Sequence, residues 1–321
     1  MSAIPVYALV GDHHFDVSMT CLGSLRDFCR DDYQLHLLNA GNLTSTQRDA
    51  LGEQFPAARL WDQVVMRETL APFLRGRPYC EKFLDELVLA WKLLAPPALA
   101  ESVGGDLLVV DSDVIFYRAV SGLDRRANPA EDFVYCHEDR DSYSVAFKDR
   151  YWGADKIQLP EGGKSGLVFM RAGTFDWDFV EWFLTRPAYR AYFNVAEQTA
   201  WAALGARCGK RCFYFDPAQI NIPEGRGDVT PALVGQHLVG DRKALARSEK
   251  YLEIVRAMVG ENASGDVARL GTCRAAMRGL IASLPRKVFG ALGGKKSGIA
   301  AAADPAAFMI DALRRSGLDS R

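Results

Sequence analysis

The chain has 321 residues, 49% hydrophobic and 25% charged, with a formal net charge of -1; this is ordinary globular composition, long enough for a core that needs no covalent staples. A charge this close to zero supplies no bulk field for a polyanion and excludes nucleic acid as the expected partner. Seven cysteines, an odd number with no repeating spacing, exclude a disulfide framework, and the nearest pair, Cys208 and Cys212, lacks the second pair of a zinc site.

Met1-Ser2-Ala3-Ile4-Pro5 carries no basic and apolar leader pattern, and no run approaches the ~20 apolar residues of a membrane span. The expected location is therefore cytoplasmic. Val6 to Val10 reads as a short buried strand, stopped by Gly11-Asp12-His13-His14-Phe15. A helix from Val17 to Arg30 and a strand over Leu35 to Leu38 complete a βαβ unit. Thr44 or Ser45 caps the next helix, and Arg59 to Val65 is a third strand. Glu81 to Leu94 reads as one helix with an apolar face of Phe83, Leu87, Ala90 and Leu94, stopped by Pro96-Pro97. Lys92 then lies near its end, where a cation serves the helix dipole.

Next comes Leu107-Leu108-Val109-Val110-Asp111-Ser112-Asp113-Val114-Ile115-Phe116-Tyr117, an apolar run broken by two carboxylates. Its first half reads as a strand buried on both faces inside an α/β sheet. Two acids where such a strand ends need a partner, because a buried unpaired carboxylate costs several kcal/mol or takes up a proton. A divalent cation is the simplest partner, and the carboxyl ends of strands in open α/β sheets are where ligands gather. The plainer reading, a turn residue or helix cap, stands beside it.

Phe133 to Cys136 is another strand, and His137-Glu138-Asp139-Arg140-Asp141 reads as a solvated loop. Gly162-Gly163-Lys164-Ser165-Gly166 implies a close backbone approach ahead of the strand Leu167 to Met170. Its order, loop then strand, is the reverse of a phosphate loop. Helices are expected over Phe175 to Leu184 and Asn194 to Leu204; Asn194 and Glu197 have capping-box spacing, which offers Glu197 a purely structural role. After the strand Cys212 to Phe215 comes His237-Leu238-Val239-Gly240-Asp241-Arg242-Lys243. A single His is more often a satisfied core or surface residue, but a Gly amide and a Lys ammonium at three-residue steps are a grip for a diphosphate.

Beyond Leu245 the composition turns to Ala, Gly and Arg, so the chain divides into a unit over 1–245 and a helical extension over 246–321. Val267 to Ala303 holds seven Lys or Arg and no acid. Val267, Leu270, Cys273, Met277, Leu280, Ile281 and Leu284 share one helical face, bordered by Arg269, Arg274 and Arg278 and ended by Pro285. Such a stripe either lies in an anionic membrane surface through 267–296 or packs on the preceding domain.

Between Val6 and Lys243 these residues resemble glycosyltransferase family 8. The resemblance implies an α/β GT-A fold, a mixed Rossmann-like sheet flanked by helices. It also implies transfer of a hexosyl unit, with retention, from a nucleoside-diphosphate sugar, a UDP-sugar, to a glycan or lipid-linked acceptor. It further implies Asp111, Asp113 and His237 as ligands of Mn²⁺ or Mg²⁺. Asp12, Phe15, Lys92, Ser112, Ser165, Gly166, Gly240 and Lys243 would bind the donor, and Glu197 and Gln198 would lie at the sugar. Departures fall where the donor is selected: Lys164 stands for the usual Asn, Glu197 for the usual Asp, and His13-His14 for more typical base contacts.

Three alternatives remain open. A haloacid-dehalogenase-type phosphohydrolase also has D-x-D after a buried strand, with the first Asp as nucleophile, but there the motif opens the domain, and Gly240-Asp241 lacks a second acid four residues on. A sugar nucleotidyltransferase would carry a glycine-rich basic loop after the first strand, which Gly11 to Phe15 is not. A membrane-surface scaffold without turnover would bind vesicles but no nucleotide sugar.

Overall fold

The computed structural model describes residues 2–101, 105–138, 143–145, 159–160, 162–186, 195–223, 229–260 and 265–271. In chain order these form β1 (Ile4–Val10), α1 (Phe15–Phe28), β2 (Tyr33–Asn39), α2 (Ser45–Gln54), β3 (Arg59–Trp61), α3 (Gln63–Leu74), α4 (Pro78–Glu86) and α5 (Ala90–Glu101). There follow β4 (Leu107–Val110), β5 (Val114–Phe116), β6 (Val120–Ser121), β7 (Phe133–His137), β8 (Gly163–Met170), α6 (Trp177–Thr185) and α7 (Ala196–Arg207). The rest are β9 (Cys212–Phe215), β10 (Ile220–Asn221), β11 (Gly235–His237), α8 (Glu249–Val259), β12 (Gly265–Asp266) and β13 (Arg269–Gly271).

Eight strands form one mixed sheet in the order β13-β9-β7-β8-β4-β1-β2-β3. The half from β4 to β3 is parallel, and β8 runs antiparallel to both of its neighbours. Hence β8 begins at the end of the sheet where β1 and β4 finish. The chain leaves β1 towards β2 on one side and returns to β4 on the other, which makes the carboxyl lip between β1 and β4 a topological switch point. A smaller sheet, β10-β11-β5, lies beside that lip.

The period of two in the central strands sorts the core. Leu107 and Val109 join a cluster with Met66, Leu70, Leu94, Val180 and Trp201 from α3, α5, α6 and α7. Leu108 and Val110 join Leu22, Leu25 and Leu51 of α1 and α2 on the opposite face. Helices on both faces of a mixed sheet are the expected α/β class.

Several expectations are corrected. The helix foreseen over Glu81 to Leu94 is two helices separated at Leu87–Leu89, and Pro96 and Pro97 lie inside α5. Each proline removes a backbone donor at a cost of up to ~3 kcal/mol, but α5 is buried from Ala90 to Ala100 and that burial outweighs the lost bonds. The foreseen loop at His137 is the buried end of β7, and β8 begins at Gly163, four residues before Leu167. The third strand ends at Trp61, and α3 takes the residues from Gln63.

A further correction concerns Val267 and Leu270. Residues 269–271 are a strand, β13, antiparallel to β9 with Leu270 opposite Tyr214, and Arg269 Nε lies 2.7 Å from the buried Glu131. Tyr251, Leu252, Val255 and Val259 of α8 pack with Val17, Ile115 and Tyr117. Residues on both sides of position 245 therefore pack together among the described residues, as far as residue 271. The rest of the apolar stripe, from Cys273 to Pro285, and the basic segment to 296 lie outside the described residues, as do Asn194, Asp139, Arg140 and Asp141. No helix among the described residues is long and apolar enough to cross a membrane.

Candidate functional site

Asp111 follows β4 directly, and its N–H donates to the Gly166 carbonyl at 2.7 Å, so the switch-point strand and β8 hold it from both sides. The Val114 N–H donates to the Asp111 carbonyl at 3.0 Å, closing a turn that carries Ser112 and Asp113. Ser112 is half-buried between the two acids. β5 then pairs antiparallel with β11 so that His237 lies opposite Val114, and the Leu238 N–H donates to the Asp113 carbonyl at 2.8 Å. Strand register, which sequence spacing does not express, thus sets the imidazole beside both acids.

His237 Nε2 lies 3.3 Å from Asp111 Oδ2 and 3.1 Å from Asp113 Oδ1. Each of the three residues offers a ligand atom within 4.8 Å of the others. Despite that proximity, both nitrogens of His237 and Oδ1 of Asp113 are buried without a hydrogen-bond partner. Polar atoms left so are costly, and two carboxylate oxygens with an imidazole nitrogen suit a divalent cation such as Mn²⁺. Without one, burial pushes the imidazole pKa down but Asp113 and Asp111 more than reverse this, raising it to about 9, so a proton does part of the cation's work. Lys243 Nζ lies 3.2 Å from Asp113 Oδ2.

Lys92 occupies the first turn of α5 and is 3% exposed. It is not a surface cation at a helix C-terminus, and at this end the dipole opposes its charge. Its Nζ lies 2.5 Å from Asp111 Oδ1 and 3.3 Å from Glu197 Oε1, and donates to Ser165 Oγ at 3.0 Å. Ser165 in turn donates to Glu197 Oε2 at 3.2 Å. Burial works against the ammonium, yet Asp111 and Glu197 hold its pKa well above the ordinary value. Burial also opposes ionisation of Asp111, but Lys92 and His237 draw it down to about 2. Glu197 is pushed up to about 7 by burial, against the pull of Lys92.

Glu197 is therefore not half of a capping box: α7 starts at Ala196 with Val195 as a cap that makes no side-chain bond. Gln198 follows, half-buried in the first turn of the same helix. At the end of β1, the exposed Asp12 donates its N–H to Asn42 Oδ1 at 3.2 Å and accepts from the Asn42 amide. Phe15, the first residue of α1, packs half-buried against the core. Gly240 opens a 3-10 segment, Gly240–Arg247, with φ of 61°, a conformation that favours glycine.

No known protein family matches the chain, and no curated protein sequence does. Solved structures overlap with it more loosely. Mouse xyloside xylosyltransferase 1, in its apo form, matches 85% of this chain over 99% of its own at 11% identity and a TM-score of 0.49. The galactosyltransferase LgtC, in complex with donor and acceptor sugar analogues, matches 82% over 97% of its own at 13% identity and a TM-score of 0.48. The bifunctional glycosyltransferase WbbM matches 80% over 52% of its own at 9% identity and 0.48. Overlaps below 0.5 decide nothing about chemistry, which rests on the side chains themselves.

Gly166 forms a seat for His237. A Cβ built on it would fall under 3.0 Å from Nδ1, Cε1 and Cγ of the imidazole. Gly166→Ala is expected to push the ring off the two acids and weaken Mn²⁺ binding by about 10–100-fold, the usual cost of disturbing a group that orients a ligand; calorimetric titration with Mn²⁺ measures it. Lys164 is buried and paired with Glu138, a partner that the loop reading of His137 to Asp141 concealed. Asp16 and Arg247 also escaped the sequence, since nothing local links residues so far apart. Their ion pair at 2.5 Å ties α1 to the 3-10 segment.

Proposed function

We propose that the chain is a metal-dependent GT-A glycosyltransferase that moves a hexosyl unit from a UDP-sugar to a glycan or lipid-linked acceptor. Retention at the anomeric carbon is part of this reading and follows from the family 8 resemblance. One observation carries it: Asp111, Asp113 and His237 converge with orphaned polar atoms at the switch point, with Lys243 beside them. Asp111, Asp113 and His237 would hold Mn²⁺, favoured over Mg²⁺ by the imidazole. When bound, the cation supplies Lewis-acid stabilisation of the departing diphosphate.

The chain's own groups do the rest. Lys243 moves from Asp113 to the diphosphate and, with the Gly240 amide, balances the charge that grows on it. Lys92 and Ser165 hold Glu197 in one orientation, so that its carboxylate meets sugar hydroxyls without a reorganisation cost. Gln198, on the same turn, orients the anomeric centre. Asp12 faces the base from the end of β1.

UDP release from a panel of UDP-hexoses with purified protein tests this. Turnover is expected with Mn²⁺ and none with EDTA or with phosphate monoesters; phosphatase activity, or no nucleotide sugar turned over, sinks it. Metal binding must also displace the proton that His237 holds up to a pKa of about 9. Below that value, Mn²⁺ affinity is therefore expected to fall by about tenfold per pH unit, with one proton released per ion. Calorimetry in two buffers of different ionisation enthalpy checks the proton count.

A further inference from the structure

We propose that Arg247 and Asp16 form a positioning latch. It clasps the segment carrying Gly240 and Lys243 to the first turn of α1, so that the diphosphate grip is assembled before the donor arrives. The proposal rests on the nucleotide-sugar reading above. Arg247 makes a forked pair with Asp16, Nε to Oδ2 at 2.5 Å and Nη2 to Oδ1 at 2.9 Å, and a forked pair fixes direction as well as distance. Nη2 also lies 3.2 Å from His14 Nδ1. A guanidinium only donates, so Nδ1 is the acceptor.

His14 is the sole non-glycine residue with positive φ, 62°, among those described. A non-glycine residue in that region is strained and persists only where its surroundings over-determine it. Here its carbonyl accepts from the Ser18 N–H at 3.1 Å and the Ser18 hydroxyl at 3.4 Å, while its ring meets Arg247. Underneath, Leu245 and Ala246 of the segment are buried with Val17 and Cys21 of α1. The segment thus has an apolar seat below and a polar clasp above, with Lys243 projecting onto Asp113 from its near end.

Global stability is not the purpose of this clasp. Its side chains are 43% and 58% exposed, and exposed pairs contribute little to stability, so removing one leaves the fold standing. What changes is where Lys243 is held.

Calorimetric titration of the full chain with UDP at saturating Mn²⁺ tests the latch through a cycle of Arg247→Ala, Lys243→Ala and the double variant. Arg247→Ala is expected to weaken UDP by about tenfold, Asp16→Asn to do the same, and Arg247→Lys to recover part of the loss. In the Lys243→Ala background, Arg247→Ala is expected to cost less than twofold more, because the latch acts through Lys243. Mn²⁺ affinity without UDP is expected not to fall, because freeing the Lys243 ammonium from Asp113 Oδ2 only removes a competitor of the ion. Equal losses in both backgrounds, no loss in either, or a parallel loss of Mn²⁺ binding overturns the latch. Failure of the unaltered chain to bind UDP with Mn²⁺ overturns instead the nucleotide-sugar reading beneath it.

Discussion

His237→Ala is expected to lower Mn²⁺-dependent transfer by about 10²–10³-fold, the several kcal/mol that a Lewis acid supplies at a leaving group. The fold should survive. Without the imidazole, Asp111 still has Lys92 at 2.5 Å and Asp113 still has Lys243 at 3.2 Å, so neither carboxylate is left wholly uncompensated. Asp113→Ala is expected to behave alike, since it removes the other ligand that β5 and β11 bring together. Mn²⁺ titration and circular dichroism on the same preparations separate lost chemistry from lost structure. Unchanged transfer in either variant would show that the cluster is not the metal site.

Lys92→Met has the opposite signature, a loss of stability first. The ammonium is shared between Asp111 and Glu197, and Glu197 is 3% exposed. Removing one partner of a buried pair costs about 3–5 kcal/mol, because the remaining charge is stranded. Glu197, already raised to about 7, relieves part of this by taking up a proton. The expected result is a lower urea midpoint with an unchanged slope. The double variant Lys92→Met/Glu197→Gln should recover part of that stability, Asp111 still lacking the ammonium, but none of the transfer. A single variant that unfolds at the original urea concentration would show that the buried network carries no net charge balance.

Some of this was readable before any coordinates. The apolar run before Asp111 marked a buried strand, and two acids at its end asked for a counter-charge; both facts are local. His237, Gly240 and Lys243 were singled out by their steps along the chain. Lys92 misled because Pro96-Pro97 looked like a stop: helix propensity is a local quantity, and the burial that keeps α5 helical through both prolines is not. Glu197 misled for the same reason, since capping-box spacing competes with a partner 105 residues away in sequence that pairs with it at 3.3 Å.

By itself, then, the sequence determined the α/β class, the acidic pair at the end of β4 and the spacing of Gly240 and Lys243 after His237, because each depends on residues within a few positions of one another. Tertiary structure alone decided that the acids and the imidazole share one space, that Gly166 is small because a ring rests on it, and that Lys92 is buried between two carboxylates. It also carried the sheet past residue 245 to β13. Register between β5 and β11, the reversal of β8 and the packing of α5 are long-range, and their free energy comes from surface buried between segments that no spacing rule connects.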